Sequence, residues 1–261
     1  MFANYEIIAS FLNIHLIQTF MIAVKERVSL EERADCYRLE PVKYCDGFYR
    51  IDLGNDLLDQ GYSRATKEWG DFTRAARRKG NLGVGTISDY YMFFSELYAL
   101  KDQTQASIVE GIRHSLQKFF EHLPLTTLSK VVYTPTGHDV FIPDVTKSAR
   151  YHVDFKGFGG VLIKPTGEKG KIYEGGIARA RRVGMKMLGI TDTSRANTVF
   201  KFITGLDTFV LTEHLKPAYD VDRAVDVCKR DFLIGGYRLV IRADTSVTEK
   251  RQALGIRVEK I

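Results

Sequence analysis

Residues 131–163 read VVYTPTGHDVFIPDVTKSARYHVDFKGFGGVLI, and this stretch decides the fold class. Two short apolar runs, Val131–Tyr133 and Val140–Ile142, are separated by a turn sequence that contains proline and glycine. Tyr151–Phe155 then alternates apolar with polar side chains, which is the period of a half-buried strand. The connections are too short to contain a crossover helix, so we predict an antiparallel meander.

Outward from this stretch, helical spacing of apolar residues dominates the preceding part of the chain. It predicts helices over residues 63–79, 88–100 and 104–123, and a helix start at Ser29–Glu32. On the other side, the pattern predicts helices over 177–187, 193–203 and 221–228 and strands over 208–211, 239–241 and 256–258.

These elements indicate an α+β protein in which a helical N-terminal half packs on a mainly antiparallel sheet in the C-terminal half. Residues 1–125 form the mainly helical region, and residues 126–261 form a β-rich region with short helices. The sequence leaves open whether the two regions make one continuous domain.

Near the N-terminus, Ile7–Val24 has no formally charged side chain. A membrane-spanning helix needs about 20 mostly apolar residues, and polar side chains interrupt this shorter run. We therefore predict a buried core helix, or a helix through which the chain forms a homo-oligomer, and no membrane span. If Met21 is the natural start, residues 1–20 are an upstream extension.

Composition limits the class of protein further. A hydrophobic content of 44% with 27% charged residues is typical of a globular chain. The net charge of +6 permits contact with nucleic acid or anionic lipid. Three cysteines at wide spacing, Cys36, Cys45 and Cys228, do not make a disulfide framework or a zinc motif. Reduced thiols favour a cytoplasmic location.

Two predicted helices have basic faces, which favours binding to the phosphate backbone of nucleic acid. The alternative is a solvated face whose charges pair with acidic neighbours. The candidate nucleic-acid-binding residues on the two helices are Arg64, Lys67, Arg74, Arg77, Arg78, Arg179, Arg182 and Lys186.

A possible catalytic group lies in the central stretch. Pro143-Asp144, followed by Asp154-Phe155-Lys156, resembles the PD-(D/E)xK nuclease pattern. Two carboxylates on neighbouring strands can hold Mg²⁺, which prefers oxygen ligands. A lysine beside them can activate the attacking water. The resemblance implies Asp144, Asp154 and Lys156 as catalytic residues and the two aspartates as metal ligands. The alternative is that these are exposed residues of an ordinary strand and turn.

Three functions therefore remain open from the sequence. The first is a nucleic-acid-associated protein without a cofactor. The second is a Mg²⁺-dependent nuclease, and the third is a non-enzymatic structural or assembly protein. Serine or cysteine nucleophile motifs of the hydrolase type are absent from the sequence.

Overall fold

The computed structural model describes residues 28–44, 47–136, 138–147, 153–156, 187–188, 193–212, 217–232 and 236–261. Within these ranges the chain is a mixed α and β protein with four helices and two sheets. The helices are α1 (Thr66–Arg78), α2 (Ile87–Leu100), α3 (Ala106–His122) and α4 (Thr193–Thr204). All four confirm helices predicted from apolar spacing. Among the described helices, none combines the length and the apolar character that a membrane crossing requires.

The first sheet has four strands in the order β1-β2-β3-β10. Its strands are β1 (Ser29–Glu32), β2 (Cys36–Tyr44), β3 (Gly47–Leu57) and β10 (Leu254–Lys260). All of its neighbouring strands are antiparallel, and β10 brings the end of the chain beside β3. The N-terminal part of the chain is therefore less purely helical than the sequence predicts.

The second sheet has six strands in the order β6-β5-β4-β8-β9-β7. Its strands are β4 (Leu125–Tyr133), β5 (His138–Ile142), β6 (Val153–Lys156), β7 (Thr208–Thr212), β8 (Val221–Phe232) and β9 (Gly236–Ser246). β4, β5 and β6 are antiparallel neighbours, as the meander prediction requires. Only the β7–β9 pair is parallel among the described strands of this sheet.

Two predicted helices are wrong. The predicted helix start at Ser29–Glu32 is β1, which pairs with β2 through Leu30 opposite Leu39. The predicted helix over 221–228 is part of β8, which lies between β4 and β9. Residues 224–227 are all buried, so the alternation that marks a half-exposed strand is lost there.

A continuous apolar core joins α2, α3 and α4 to both sheets. α2 lies at its centre, with eight buried residues from Ile87 to Leu100. Phe94 of α2 makes edge-on ring contacts with Phe120 of α3 and Phe200 of α4, at centroid distances of 6.4 and 6.0 Å. A smaller cluster of Trp69, Val84, Leu128 and Ala253 holds α1 against β4. The division of the chain at residue 125 stays a prediction.

A buried carboxylate joins three strands of the first sheet. Asp52 of β3 accepts hydrogen bonds from Arg38 of β2 at 2.5 Å and from Arg257 of β10 at 2.5 Å. Burial acts to raise the pKa of Asp52, but the hydrogen bonds and charges of the two guanidinium groups outweigh it and lower that pKa below its ordinary value.

We expect this carboxylate to make stability depend on pH in acid. A lowered folded-state pKa stabilises the native state above the unfolded-state pKa of about 3.9, and that contribution is lost as the pH falls through the folded-state pKa. The Asp52→Asn variant lacks this contribution, so its free energy of unfolding should be lower than that of the unmodified chain. The difference between the two should be constant above pH ~5 and shrink below pH ~4. Urea unfolding at a series of pH values measures the deficit. A deficit that is the same at every pH would contradict this reading.

Candidate nucleic-acid interface

Four of the basic residues predicted to bind nucleic acid lie on one face of α1. At 100° per residue, Lys67, Arg74, Arg77 and Arg78 fall within a sector about 100° wide. Trp69, Thr73 and Ala76 lie on another face and are buried, which fixes the rotation of the helix, while the buried Gly70 falls within the basic sector. The basic sector is therefore presented away from the smaller core cluster.

Arg64 does not belong to this face. It precedes the first helical residue, and its guanidinium group lies 5.7 Å from the ring centroid of Trp69 and 5.6 Å from that of Phe72. It also forms an ion pair with Asp59. Its charge is matched locally by Asp59, so we exclude Arg64 from the candidate interface.

The segment that follows β5 crosses the middle of α1. A Cβ atom at Gly70 would lie 3.4 Å from Cγ2 of Val145, so the Val145 side chain packs against the helix backbone there. Arg77 Nη1 donates to Thr146 Oγ1 at 2.8 Å, and Val145 N–H donates to the Leu128 carbonyl at 3.0 Å. These bonds hold the segment between α1 and β4, and a cavity opens on each side of it.

The first cavity is a groove of about 310 Å³ beside the N-terminal half of α1. Three basic side chains line it, from two elements: Lys67 and Arg74 of α1 and Lys130 of β4. Asp222 is the one carboxylate in the lining, and it accepts a hydrogen bond from Lys130 at 2.5 Å. The lining residues alone carry a formal charge of +2, and Asp71, which lies outside the lining, pairs with Arg74.

The second cavity is a cleft of about 660 Å³ at the C-terminal end of α1. Arg77, Lys147 and Arg257 are its basic residues, and Asp89, Asp144 and Glu259 are its acidic ones. The cleft is therefore formally neutral. Burial raises the pKa of Asp89 above its ordinary range, although hydrogen bonds from Thr86 and the nearby charge of Arg77 oppose the shift.

The surface holds both matched and unmatched charges. Arg74 pairs with Asp71, and Arg77 pairs with Asp144 at 3.1 Å. Within the described residues, Lys67, Arg78 and Lys147 form no ion pair, and all three are exposed. These three side chains are the ones most available to an anionic ligand.

The structure describes the surroundings of Asp144, one of the three residues of the nuclease hypothesis. Asp144 is buried, and its carboxylate accepts from Arg77, from Thr146 N–H at 2.9 Å and from Thr146 Oγ1 at 2.6 Å. In the β5–β6 register, Asp154 lies opposite Val140, four residues before Asp144. The side chains of Asp154 and Lys156 lie outside the described residues, and the nuclease hypothesis stays a prediction.

No metal site supports that hypothesis among the residues that the structure describes. Within them, no group of three or more histidine, cysteine, aspartate or glutamate side chains could hold an ion. Arg179, Arg182 and Lys186 of the second predicted basic helix lie outside the described ranges, as does the predicted helix over 7–24.

Sequence reasoning missed Lys130 and Lys147, which the fold brings to the basic face of α1. They lie more than fifty residues from α1 in the chain, and no local pattern connects them to it. No protein-family model, curated protein or solved structure matches this chain.

Proposed function

We propose that this chain binds nucleic acid through the phosphate backbone, with the basic face of α1 at the centre of the interface. The observation that carries the proposal is that both cavities flanking this face contain a further lysine from another element, Lys130 in the groove and Lys147 in the cleft. Separate parts of the chain thus contribute positive charge to one surface.

The dimensions of the surface suit a phosphate backbone. Lys67 and Arg77 are ten residues apart, which corresponds to about 15 Å along the helix axis. That length matches about four steps of a nucleic-acid strand at 3.4 Å each. Lysine and arginine contacts to phosphates position the nucleic acid without reading its sequence, so we expect binding with little sequence preference.

Replacing the two unmatched lysines tests the interface. We expect Lys67→Gln with Lys147→Gln to weaken binding roughly 10- to 100-fold at 0.1 M salt. Binding then makes fewer phosphate contacts and releases fewer counterions from the nucleic acid. The slope of log affinity against log salt concentration should fall in magnitude by about two. Fluorescence anisotropy with labelled single-stranded and duplex DNA and RNA at several salt concentrations measures both quantities.

A matched control is Lys43→Gln with Lys118→Gln. Both lysines are exposed, on β2 and α3 respectively, and the double variant has the same net charge as the test variant. It should bind almost as the unmodified chain does. If the two double variants lose affinity equally, the effect is one of net charge alone and the α1 interface is refuted.

A further inference from the structure

The cleft at the C-terminal end of α1 differs in character from the groove. Its acidic and basic side chains balance, so it offers no net attraction to a phosphate group. Its walls also include the apolar side chains of Met92, Pro143, Ile256 and Val258. The volume of about 660 Å³ lies within the range of about 300–1,000 Å³ that is usual for small-molecule sites. The cleft therefore suits a compact, uncharged group with polar edges better than it suits a phosphate.

One wall of the cleft is an edge of the first sheet. In β10, the last strand of that sheet, the Ile256 N–H donates to the Gly83 carbonyl at 2.7 Å, and the Ile256 carbonyl accepts from the Gly83 N–H at 3.2 Å. The pairing with β3 is regular from Ile256 to Lys260, so antiparallel alternation also directs the N–H and C=O of Val258 outward. Val258 lines the cleft, and these two groups have no hydrogen-bond partner in the described ranges.

This part of the edge is too short to take up a peptide strand. The cleft is lined by residues 256–259 of β10, of which 257 and 259 direct their main-chain groups to β3. Gly83 already occupies Ile256, so Val258 carries the one outward donor–acceptor pair in the lining that remains for a ligand. Strand addition uses a row of such pairs, whereas the edge of a nucleobase uses a single pair.

A carboxylate without a basic partner lines the same cleft. Asp89 forms no ion pair with any described residue, although basic side chains share the lining. Its Oδ2 accepts from the Thr86 N–H at 2.7 Å in the capping box of α2, which leaves Oδ1 for a further donor. Burial raises the pKa of Asp89, because the donors around it do not compensate for the loss of water. A ligand that supplies an N–H donor would complete the environment of this carboxylate.

These features match the chemistry of an unpaired nucleobase. The edge of a base carries both donors and acceptors, and single-stranded recognition uses bases that are unstacked and bonded through that edge. Cytosine, adenine and guanine have an exocyclic amino group that can donate to a carboxylate. Uracil and thymine have carbonyl oxygens instead, which a carboxylate repels.

We propose that the cleft binds one unstacked base of a nucleic-acid strand and prefers a base with an amino group. The inference rests on the proposed function, to which it adds a preference at a single nucleotide. Arg77 belongs to the basic face of α1 and also lines the cleft, so a strand bound along that face passes beside the cleft. The phosphate contacts of the strand still carry no sequence information.

Tetracytidylate and tetrauridylate test the preference, because their bases have the same ring size and differ in the donors and acceptors of their edges. We expect the unmodified chain to bind tetracytidylate about tenfold more tightly at the same salt concentration, which corresponds to one hydrogen bond to a charged group. Fluorescence anisotropy of the labelled oligonucleotides measures both affinities. Equal affinity for the two would overturn the inference.

Asp89→Asn assigns the preference to the cleft. Asparagine keeps an oxygen for the Thr86 N–H, so the cap of α2 is retained, but it replaces the other carboxylate oxygen by an amide donor. We expect the ratio of the two affinities to fall from about ten to about one, and the melting temperature not to fall, because the cap is kept. Asp231→Asn is the matched control, since Asp231 is exposed on β8 and the change in net charge is the same. It should keep the ratio.

The same ratio separates this inference from the proposed function. Lys67→Gln with Lys147→Gln should weaken binding of both oligonucleotides alike, because phosphate contacts do not distinguish bases. Unchanged affinity in that double variant would refute the proposed function. A preference for tetracytidylate that persists in Asp89→Asn would refute only the cleft as the site of the base.

Discussion

Replacement of Asp226 by alanine is expected to lower the free energy of unfolding by about 3–5 kcal/mol. Asp226 is fully buried in the middle of β8. It forms an ion pair with Arg251, and it accepts hydrogen bonds from Arg242 Nε at 3.0 Å and from Thr245 Oγ1 at 3.1 Å. Without the carboxylate, the buried guanidinium group of Arg251 has no counter-charge, and an unpaired buried charge is strongly destabilising.

Urea unfolding followed by circular dichroism measures this cost. Asp231→Ala is the control, because Asp231 lies on the same strand and is exposed, so its loss should change stability by no more than about 0.5 kcal/mol. Adding Arg251→Met to Asp226→Ala should recover part of the loss, since it removes the stranded charge. Equal costs for Asp226→Ala and Asp231→Ala would show that the buried cluster does not stabilise the fold.

The helices of this chain could be predicted because their apolar residues recur with one period. In α1, Trp69 and Ala76 lie seven residues apart and are both buried, as the spacing predicts. The start of α2 was predicted at residue 88 and lies at Ile87, where Thr86 and Asp89 form a capping box. Local capping chemistry determines this boundary, so local sequence places it to within one residue, whereas α1 is predicted from residue 63 and begins at Thr66 without a side-chain cap.

β8 could not be predicted in the same way. Val221, Val225 and Cys228 are spaced four and three residues apart, as on a helix, and a strand covered on both faces does not alternate. Its conformation is decided by β4 and β9, which pair with it from opposite sides. The buried Asp226 adds to the ambiguity, because its partner Arg251 lies 25 residues further along the chain.

The candidate interface was predictable only in part. The basic residues of α1 could be placed on one face from helical spacing, but the spacing could not show that Arg64 lies before the helix and packs on Trp69. Lys130 and Lys147 reach the same surface through the six-stranded sheet and the segment that follows β5. Tertiary packing therefore decides which charges belong to the interface.

Trp69→Ala is expected to cost about 3–5 kcal/mol of stability. Trp69 is fully buried, and its Nε1–H donates to the Arg251 carbonyl at 2.7 Å. It also makes an edge-on contact with Phe72 at a centroid distance of 5.3 Å. Alanine would leave a cavity in the smaller apolar cluster, and the Arg251 carbonyl would keep only the hydrogen bond from the Arg64 N–H. Because this cluster holds α1 against β4, the substitution also loosens the helix that carries the proposed interface.

Trp69→Phe separates these contributions, since it keeps most of the ring and removes only the donor. Its cost should lie well below that of Trp69→Ala. Trp69 is the single tryptophan of the chain, so neither variant has tryptophan fluorescence. Circular dichroism in urea therefore follows unfolding for both variants. At temperatures where Trp69→Ala remains folded, its affinity for nucleic acid should also fall, because Lys67 and Arg74 depend on the position of α1. A stability loss below about 1 kcal/mol would mean that other contacts hold α1 in place.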